Sequence, residues 1–299
     1  MHPPAATVGP GSGGDVDSQQ RPSRRSRAKV VVDQLNRPVL VKLLAAVAFV
    51  VLLAPSVVIV VAGFNSGDYL GIPPDGFSMR WVTAFLTGSL FTSWLFSFGL
   101  ALNSTVIASV LGVLAALSFE RGVLRRVPWL RGVFFAPMAI PGIVFGFALL
   151  ITYVLVFPGL YRTYPGLVVG HVVILMPYVV STVGASLTTI EPSLEQAARS
   201  LGASPQTVFW RITLPLLAPG ISAGALFGFV VSFGQYDLSI FLSTPDLTPL
   251  PIALYEKMRF QFDPTIAGAG IFAIAQLALT LLIINRLFGL SKVTNALSR

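Results

Sequence analysis

Six apolar stretches dominate this chain, at about 39–64, 95–118, 132–156, 166–187, 218–242 and 265–288. Each is close to the ~20 residues that a helix needs to cross the hydrocarbon core of a bilayer. Inside lipid every backbone N–H and C=O must be satisfied within the protein, and a helix does this along its own length. The chain is 54% hydrophobic and 11% charged, against roughly 25% charged in a soluble domain. An all-α, polytopic membrane protein with six transmembrane helices is the expected fold class. Asn103 and Ser104 interrupt the second stretch; such polar residues commonly join membrane helices by hydrogen bonds. Pro141-Gly142 in the third and Pro177 in the fourth are expected to bend their helices.

Orientation follows from where Lys and Arg fall. With the N-terminus inside, sixteen of the twenty basic residues lie in inside segments, leaving Arg80, Arg162, Lys257 and Arg259 outside. Both termini are therefore expected in the cytoplasm. Residues 1–36 are rich in Gly, Pro, Ser and Arg and are expected to form a disordered cytoplasmic tail. Their basic run serves as a topology signal or touches anionic lipid. A six-helix domain over 37–290 and a cytoplasmic tail over 291–299 complete the division. The net charge of +8 comes without any base-reading or aromatic-interleaved patch, so nucleic acid is not an expected partner. There is no cysteine, and the two histidines are His2 and His171, which excludes thiol chemistry and a histidine metal cluster.

One polar stretch, EPSLEQAARSLGASPQTVFWRITLPLLAP from Glu191 to Pro219, stands between the fourth and fifth apolar runs. Pro192 suits the first turn of a helix, where its missing N–H costs nothing. Leu194, Ala197, Ala198 and Leu201 recur at helical spacing on one face, with Glu195, Gln196, Arg199 and Ser200 on the other. Gly202 stands where a helix needs a left-handed stop. Ser204-Pro205 restarts the chain as an N-cap and first-turn pair. Val208, Phe209 and Ile212 give a second short helix its apolar side, and Pro215 is expected to end it. Small alanines permit close approach by another protein, while the charges keep the piece in water.

The spacing Gln196-Ala197-Ala198, three residues, Gly202, nine residues, Ile212, one residue, Leu214-Pro215 resembles the EAA signature of membrane subunits of binding-protein-dependent ABC importers. The family's usual glutamate is Gln196 here, with Glu195 one place earlier. The resemblance spans about 39–288 and implies the ABC importer type I permease fold. It also implies that the 191–217 loop docks on a cytoplasmic ABC ATPase dimer and couples to it through Glu195, Gln196, Ala197, Ala198, Gly202, Ile212, Leu214 and Pro215. A second permease subunit, identical or sibling, and an extracytoplasmic solute-binding protein are the other implied partners besides membrane lipid. ATP and Mg²⁺ would reside on the ATPase, leaving this chain with no cofactor of its own.

No glycine-rich phosphate loop followed by Lys and Ser/Thr occurs, and no acidic pair falls at useful spacing within a span, so an enzyme is not expected. His171 is expected to pack between helices, having no acidic residue near it in sequence. Asp237 is the one acidic residue placed inside a span, in VVSFGQYDLSIFL. If the fifth helix leaves the membrane near Leu242, Asp237 lies roughly 7–8 Å deep at about 1.5 Å per residue, within reach of water. The stretch SFGQYDLSIFLSTPDLTPLPIALYEKMRFQFDP, with its Leu250-Pro251 pair and a short outer helix expected over 252–260, is similar to the spermidine/putrescine branch of these importers. That similarity implies a polyamine or similar cationic solute, with Asp237, Tyr236, Gln235 and Asn103 as pathway candidates and Phe233 as a further aromatic face. The alternative for Asp237 is a hydrogen bond to a neighbouring helix or an outer-loop Arg or Lys. A permease for another small solute is the rival within the class, and an ATP-independent carrier or channel the rival outside it. Such a carrier should show inverted repeats, and none is read here.

Overall fold

A computed structural model describes residues 38–69, 71–260 and 263–288; the expected tails over 1–36 and 291–299 lie outside them. In chain order the helices are α1 (Pro38–Gly63), α2 (Arg80–Thr87), α3 (Ser89–Glu120), α4 (Pro128–Ala139), α5 (Gly142–Leu155), α6 (Tyr164–Thr189), α7 (Pro192–Ser200), α8 (Pro205–Val208), α9 (Leu214–Phe233), α10 (Ser239–Leu242), α11 (Leu250–Phe260) and α12 (Thr265–Phe288). Among the described residues there is no β-strand, only two isolated bridges. The chain divides into two compact units, 1–55 and 56–299. The described part of the first is the apolar N-terminal portion of α1. All contacts below lie within the second.

Five helices are long and apolar enough to cross a membrane, and α4 with α5 make a sixth span if taken together. That pair is bent by 107° at Ile140-Pro141. Pro141 forces Ile140 into an extended conformation (φ −87°, ψ 133°), as a residue before proline prefers. Pro177 does not have this effect; α6 runs on from Tyr164 to Thr189 with Pro177 buried inside it.

The core is built where α3, α6 and α9 pack together. Helix association in lipid lacks a hydrophobic drive, so it depends on close approach and on shape. A Cβ on Gly112 of α3 would stand 2.6 Å from Val179 of α6, and one on Gly220 of α9 would stand 2.2 Å from Ser186 Oγ. Both sites admit only glycine without a shift. Towards the end that carries α7, Val113, Ala116, Phe119, Val179, Val183, Leu187 and Leu217 form one buried cluster. Towards the other end, Leu100, Leu167, Leu175, Leu238 and Leu242 form a second around Tyr153, whose hydroxyl donates to Gly166 O at 2.9 Å.

A cap of loops and short helices covers that far end. Asn65, fully buried, organises residues 65–77: its Nδ2 donates to Tyr69 O (3.1 Å), and its Oδ1 accepts from Gly67 N (3.2 Å) and Asp75 N (2.9 Å). From there α2 lies so close along α12 that a Cβ on Gly268 would meet Trp81 O at 2.5 Å. The short helix expected over 252–260 is present as α11, and Ser97 Oγ accepts from its first backbone N–H, Leu250 N, at 2.7 Å.

Candidate functional site

The stretch 191–217 contains one free-standing helix. In α7, Pro192 takes the first turn and Gly202 provides the stop with φ +86°. Gly202 N donates to Arg199 O (2.9 Å) and Ala203 N to Ala198 O (3.0 Å), the paired bonds that close a helix through a left-handed residue. Ser204 then caps α8, its hydroxyl accepting from Thr207 N at 3.2 Å. Leu201, at the turn, is 90% exposed; Gln196 and Ala197 are exposed as well, and Ala198 is half-buried.

The expected second short helix is not separate. From Pro205 to Phe233 the chain is one span-length helix. It passes Pro215 by a single π turn over Phe209–Thr213, in which Leu214 N donates to Phe209 O. A wider turn absorbs the mismatch that a proline without an N–H creates. Ile212 and Leu214 are half-buried along this helix and Pro215 is exposed. The fifth span therefore begins well before the expected position 218 and carries the loop's second half as its own extension.

Glu195 departs from the expected solvated face. Its side chain is only 13% exposed. Its Oε1 accepts from Arg121 and, at 2.7 Å, from the Thr213 hydroxyl, while Arg199 approaches Oε2 at 3.9 Å. Arg121 also donates to Ile190 O at 3.2 Å. In the sequence Arg121 counted only towards orientation, and Thr213 carried no signal at all.

At the other end of the same helix a second correction applies. The fifth helix does not run to 242: α9 ends at Phe233, and Gly234 to Leu238 form a non-helical link before α10. Asp237 thus lies on a helix break and not on a helix, so its depth cannot be counted at the helical rise. Leu238 turns inward and is fully buried. A Cβ on Gly146 of α5 would stand 2.8 Å from Leu238 Cα, so this glycine is what lets the link pack there. The carboxylate of Asp237 rests over the first residue of α5, where a Cβ on Gly142 would meet its Oδ2 at 2.8 Å. A helix N-terminus is a favourable seat for a negative charge, and Asp237 is at the same time exposed.

The other pathway candidates separate. Gln235 and Tyr236 share the link with Asp237, and the Tyr236 ring lies 5.4 Å from that of Tyr255 on α11. Asn103 is engaged elsewhere: its Nδ2 donates to the Tyr164 hydroxyl at 2.7 Å, joining α3 to α6. Phe233 stacks on Phe229 at 6.2 Å, turned to the aromatic cap. His171 packs between helices as expected. Its Nδ1 is hydrogen-bonded to Ser232 Oγ (2.8 Å) and its Nε2 to Ser239 Oγ (3.0 Å), so one buried ring holds both sides of the link.

Similarity to known proteins covers most of the chain. It is 28% identical over 239 residues to the spermidine/putrescine transport system permease protein PotC of Escherichia coli (strain K12), covering 80% of this chain and 89% of that one. PhnV of Salmonella typhimurium, assigned as a candidate 2-aminoethylphosphonate transport system permease protein, is 27% identical over 248 residues, 83% of this chain and 92% of its own. Among solved structures, a chain of a bacterial ABC transporter involved in import of the acidic polysaccharide alginate superposes with a TM-score of 0.61 at 18% identity, over 90% of this chain and 100% of that one. A chain of the MetNI methionine ABC transporter in an inward-facing form gives 0.53 at 18% identity, over 71% and 98%. These two share the fold. The model of the binding-protein-dependent transport system inner membrane component family matches residues 108–291, from the middle of α3 through the exposed loop to the end of α12, and the chain belongs to that family.

Proposed function

We propose that this ABC importer permease subunit forms half of the translocation pathway for a small cationic solute, a polyamine or a comparable amine. It couples to a separate ATPase through the 191–217 loop. The loop end is cytoplasmic, where sixteen of the twenty basic residues gather. The observation that carries the coupling role is the display of α7: a short, firmly capped helix standing out from the helix bundle with an exposed leucine at its tip. An exposed leucine beside exposed polar residues suits a protein partner better than bulk water. An ABC ATPase dimer receives this element. A second permease subunit, identical or sibling, completes the pore, and an extracytoplasmic binding protein rests on the cap formed by 65–93 and 243–264. ATP and Mg²⁺ belong to the ATPase.

The cationic assignment rests on Asp237, exposed on the link beside Gln235 and Tyr236, and on the relatives' solutes. Spermidine, putrescine and 2-aminoethylphosphonate all present an ammonium group. The PhnV similarity favours a second reading, an amine that also carries an anion.

Leu201→Asp tests the docking. The ATPase should no longer co-purify with the permease, and uptake should cease while the subunit still inserts; an unchanged complex would refute the docking role. Competition for uptake of labelled spermidine by putrescine and by 2-aminoethylphosphonate then separates the two solute readings.

A further inference from the structure

We infer that Arg121 and Glu195 form a pin that makes α7 a rigid lever on three membrane helices at once. The inference rests on α7 being the ATPase-docking element. Arg121 directly follows α3, and its backbone N–H closes that helix on Leu117 O at 2.9 Å. Its guanidinium then reaches two other elements: Ile190 O, at the end of α6 (3.2 Å), and Glu195 on α7. The same Glu195 oxygen accepts from Thr213, at the entry to α9. One carboxylate and one guanidinium therefore join α7 to α3, α6 and α9, the helices whose packing forms the core.

Besides this pin, α7 meets the rest of the chain through its backbone joints and by packing on α8 and the π turn that follows it. On one side lie Ile190 and Glu191, both extended, and on the other the left-handed Gly202. Each joint can hinge, so a push on α7 would be lost in rotation about them. A strut from the middle of α7 to the end of α3 blocks that rotation. The pair is largely withdrawn from water, with Arg121 25% and Glu195 13% exposed, and is screened by salt less than a surface pair. Arg199 is a poor substitute, being 3.9 Å away and more than half exposed.

The neighbouring acid does not compete. Glu120 is paired with Arg131, and the two lie beside Gly184 of α6. A 480 Å³ cavity bordered by Arg121, Arg125, Thr188, Pro192 and Glu195 opens next to the pin. Charged variants at 121 and 195 therefore have room. The outward residues of α7, Gln196 and Ser200 among them, remain available to the ATPase, so the two faces of the helix divide the work: one receives the motion, the other passes it on.

The test uses the assembled importer, with ATPase and binding protein, in proteoliposomes. Arg121→Glu and Glu195→Arg each should lower solute transported per ATP hydrolysed by at least about tenfold, with the ATPase still bound and active. The double swap should recover clearly above both single variants but stay below the native ratio, because it restores the 121–195 ion pair while a carboxylate at 121 cannot donate to Ile190 O. Glu195→Gln keeps an acceptor for Thr213 and is nearly isosteric; it decides the matter if the charged single variants fail to assemble, by losing coupling more than about threefold. Native coupling in the single variants or in Glu195→Gln, or a double swap no better than its parents, overturns the pin. Failure of the docking reading looks different: there Leu201→Asp leaves the ATPase attached, whatever the 121–195 pair does.

Discussion

The helix from Pro205 to Phe233 meets two prolines near the end that carries α7, Pro215 and Pro219, and does not break; at its far end it stops at Gly234 with no proline nearby. The inner irregularity costs one π turn and is braced by Glu195, Thr213 and Arg121. The outer one is a five-residue link from Gly234 to Leu238, anchored through His171 and Leu238 but leaving Asp237 exposed. On this helix, unlike at Pro141 between α4 and α5, proline therefore does not decide where the helix ends. Satisfaction of the freed groups by neighbours does, and here it produces a stiff, braced end and an adaptable, exposed end on one rod.

The largest expected effect breaks the stiff end. Gly202→Asp should abolish ATP-driven uptake while the subunit still inserts and is recovered from the membrane. No atom lies within 4 Å of a Cβ at this site, so crowding is not the cause. The cost is the left-handed backbone at φ +86°, about 1–2 kcal/mol for a residue with a Cβ, together with a carboxylate added to the docking face. Gly202→Asn, which tolerates that conformation better, should keep a substantial part of the activity. Full transport in Gly202→Asp would remove the contrast between the two ends.

At the adaptable end, Asp237→Asn keeps size and removes charge. Uptake of a polycation should fall about tenfold, equivalent to ~1.4 kcal/mol of lost charge pairing, with ATPase stimulation by loaded binding protein retained. The seat of Asp237 over the start of α5 sets a rival outcome. If the carboxylate serves only as that helix's anionic partner, uptake is unchanged and the complex loses roughly 0.3–1 kcal/mol of stability. Uptake kinetics at several solute concentrations, read beside thermal melting, separate the two.

His171 governs whether the link stays ordered. His171→Leu leaves the buried hydroxyls of Ser232 and Ser239 without this partner, at ~1–3 kcal/mol each. The purified complex should melt about 5 °C lower, and uptake should fall less than in Asp237→Asn. An unshifted melting curve would mean that packing of Leu238 and Leu242 alone holds the link.

Much of this contrast was legible in the residues. Hydropathy located the spans, and the spacing from Pro192 to Ser204 set out α7, its left-handed stop and the cap that follows. What was hidden depends on distant partners. Glu195 has the helical position of a wet residue, and Arg121, 74 positions away, together with Thr213, 18 away, draws it inward. The run around Asp237 is apolar enough to continue as helix; it breaks where His171, 61 and 68 positions away, and Gly146 of α5 redirect it. Pro215 looked like a terminator because local pattern carries no sign of a π turn. Asn103 and Tyr164 are likewise a tertiary pair across 61 positions.

The smallest effect lies in the cap at the end far from α7, where α11 returns towards α12. Burial pushes the Asp263 carboxyl up, but the Thr265 backbone N–H and the Lys257 ammonium, 2.9 Å away, outweigh it and hold the group below the usual carboxylate range. A depressed acid stabilises the fold above its unfolded value and loses that contribution as pH falls through its own lower value. The contribution is therefore intact at neutral pH and disappears only in acid, below the ordinary range for aspartate. Its size is modest, less than ~1 kcal/mol for a partly exposed pair. Asp263→Asn should flatten the acid side of the melting temperature against pH profile by a degree or two, with roughly that much lost at neutral pH. ATP-driven uptake should be nearly unaffected. A change in coupling ratio as large as that of the Arg121 variants would show instead that the cap, and not the inner end alone, belongs to the stiff part of the machine.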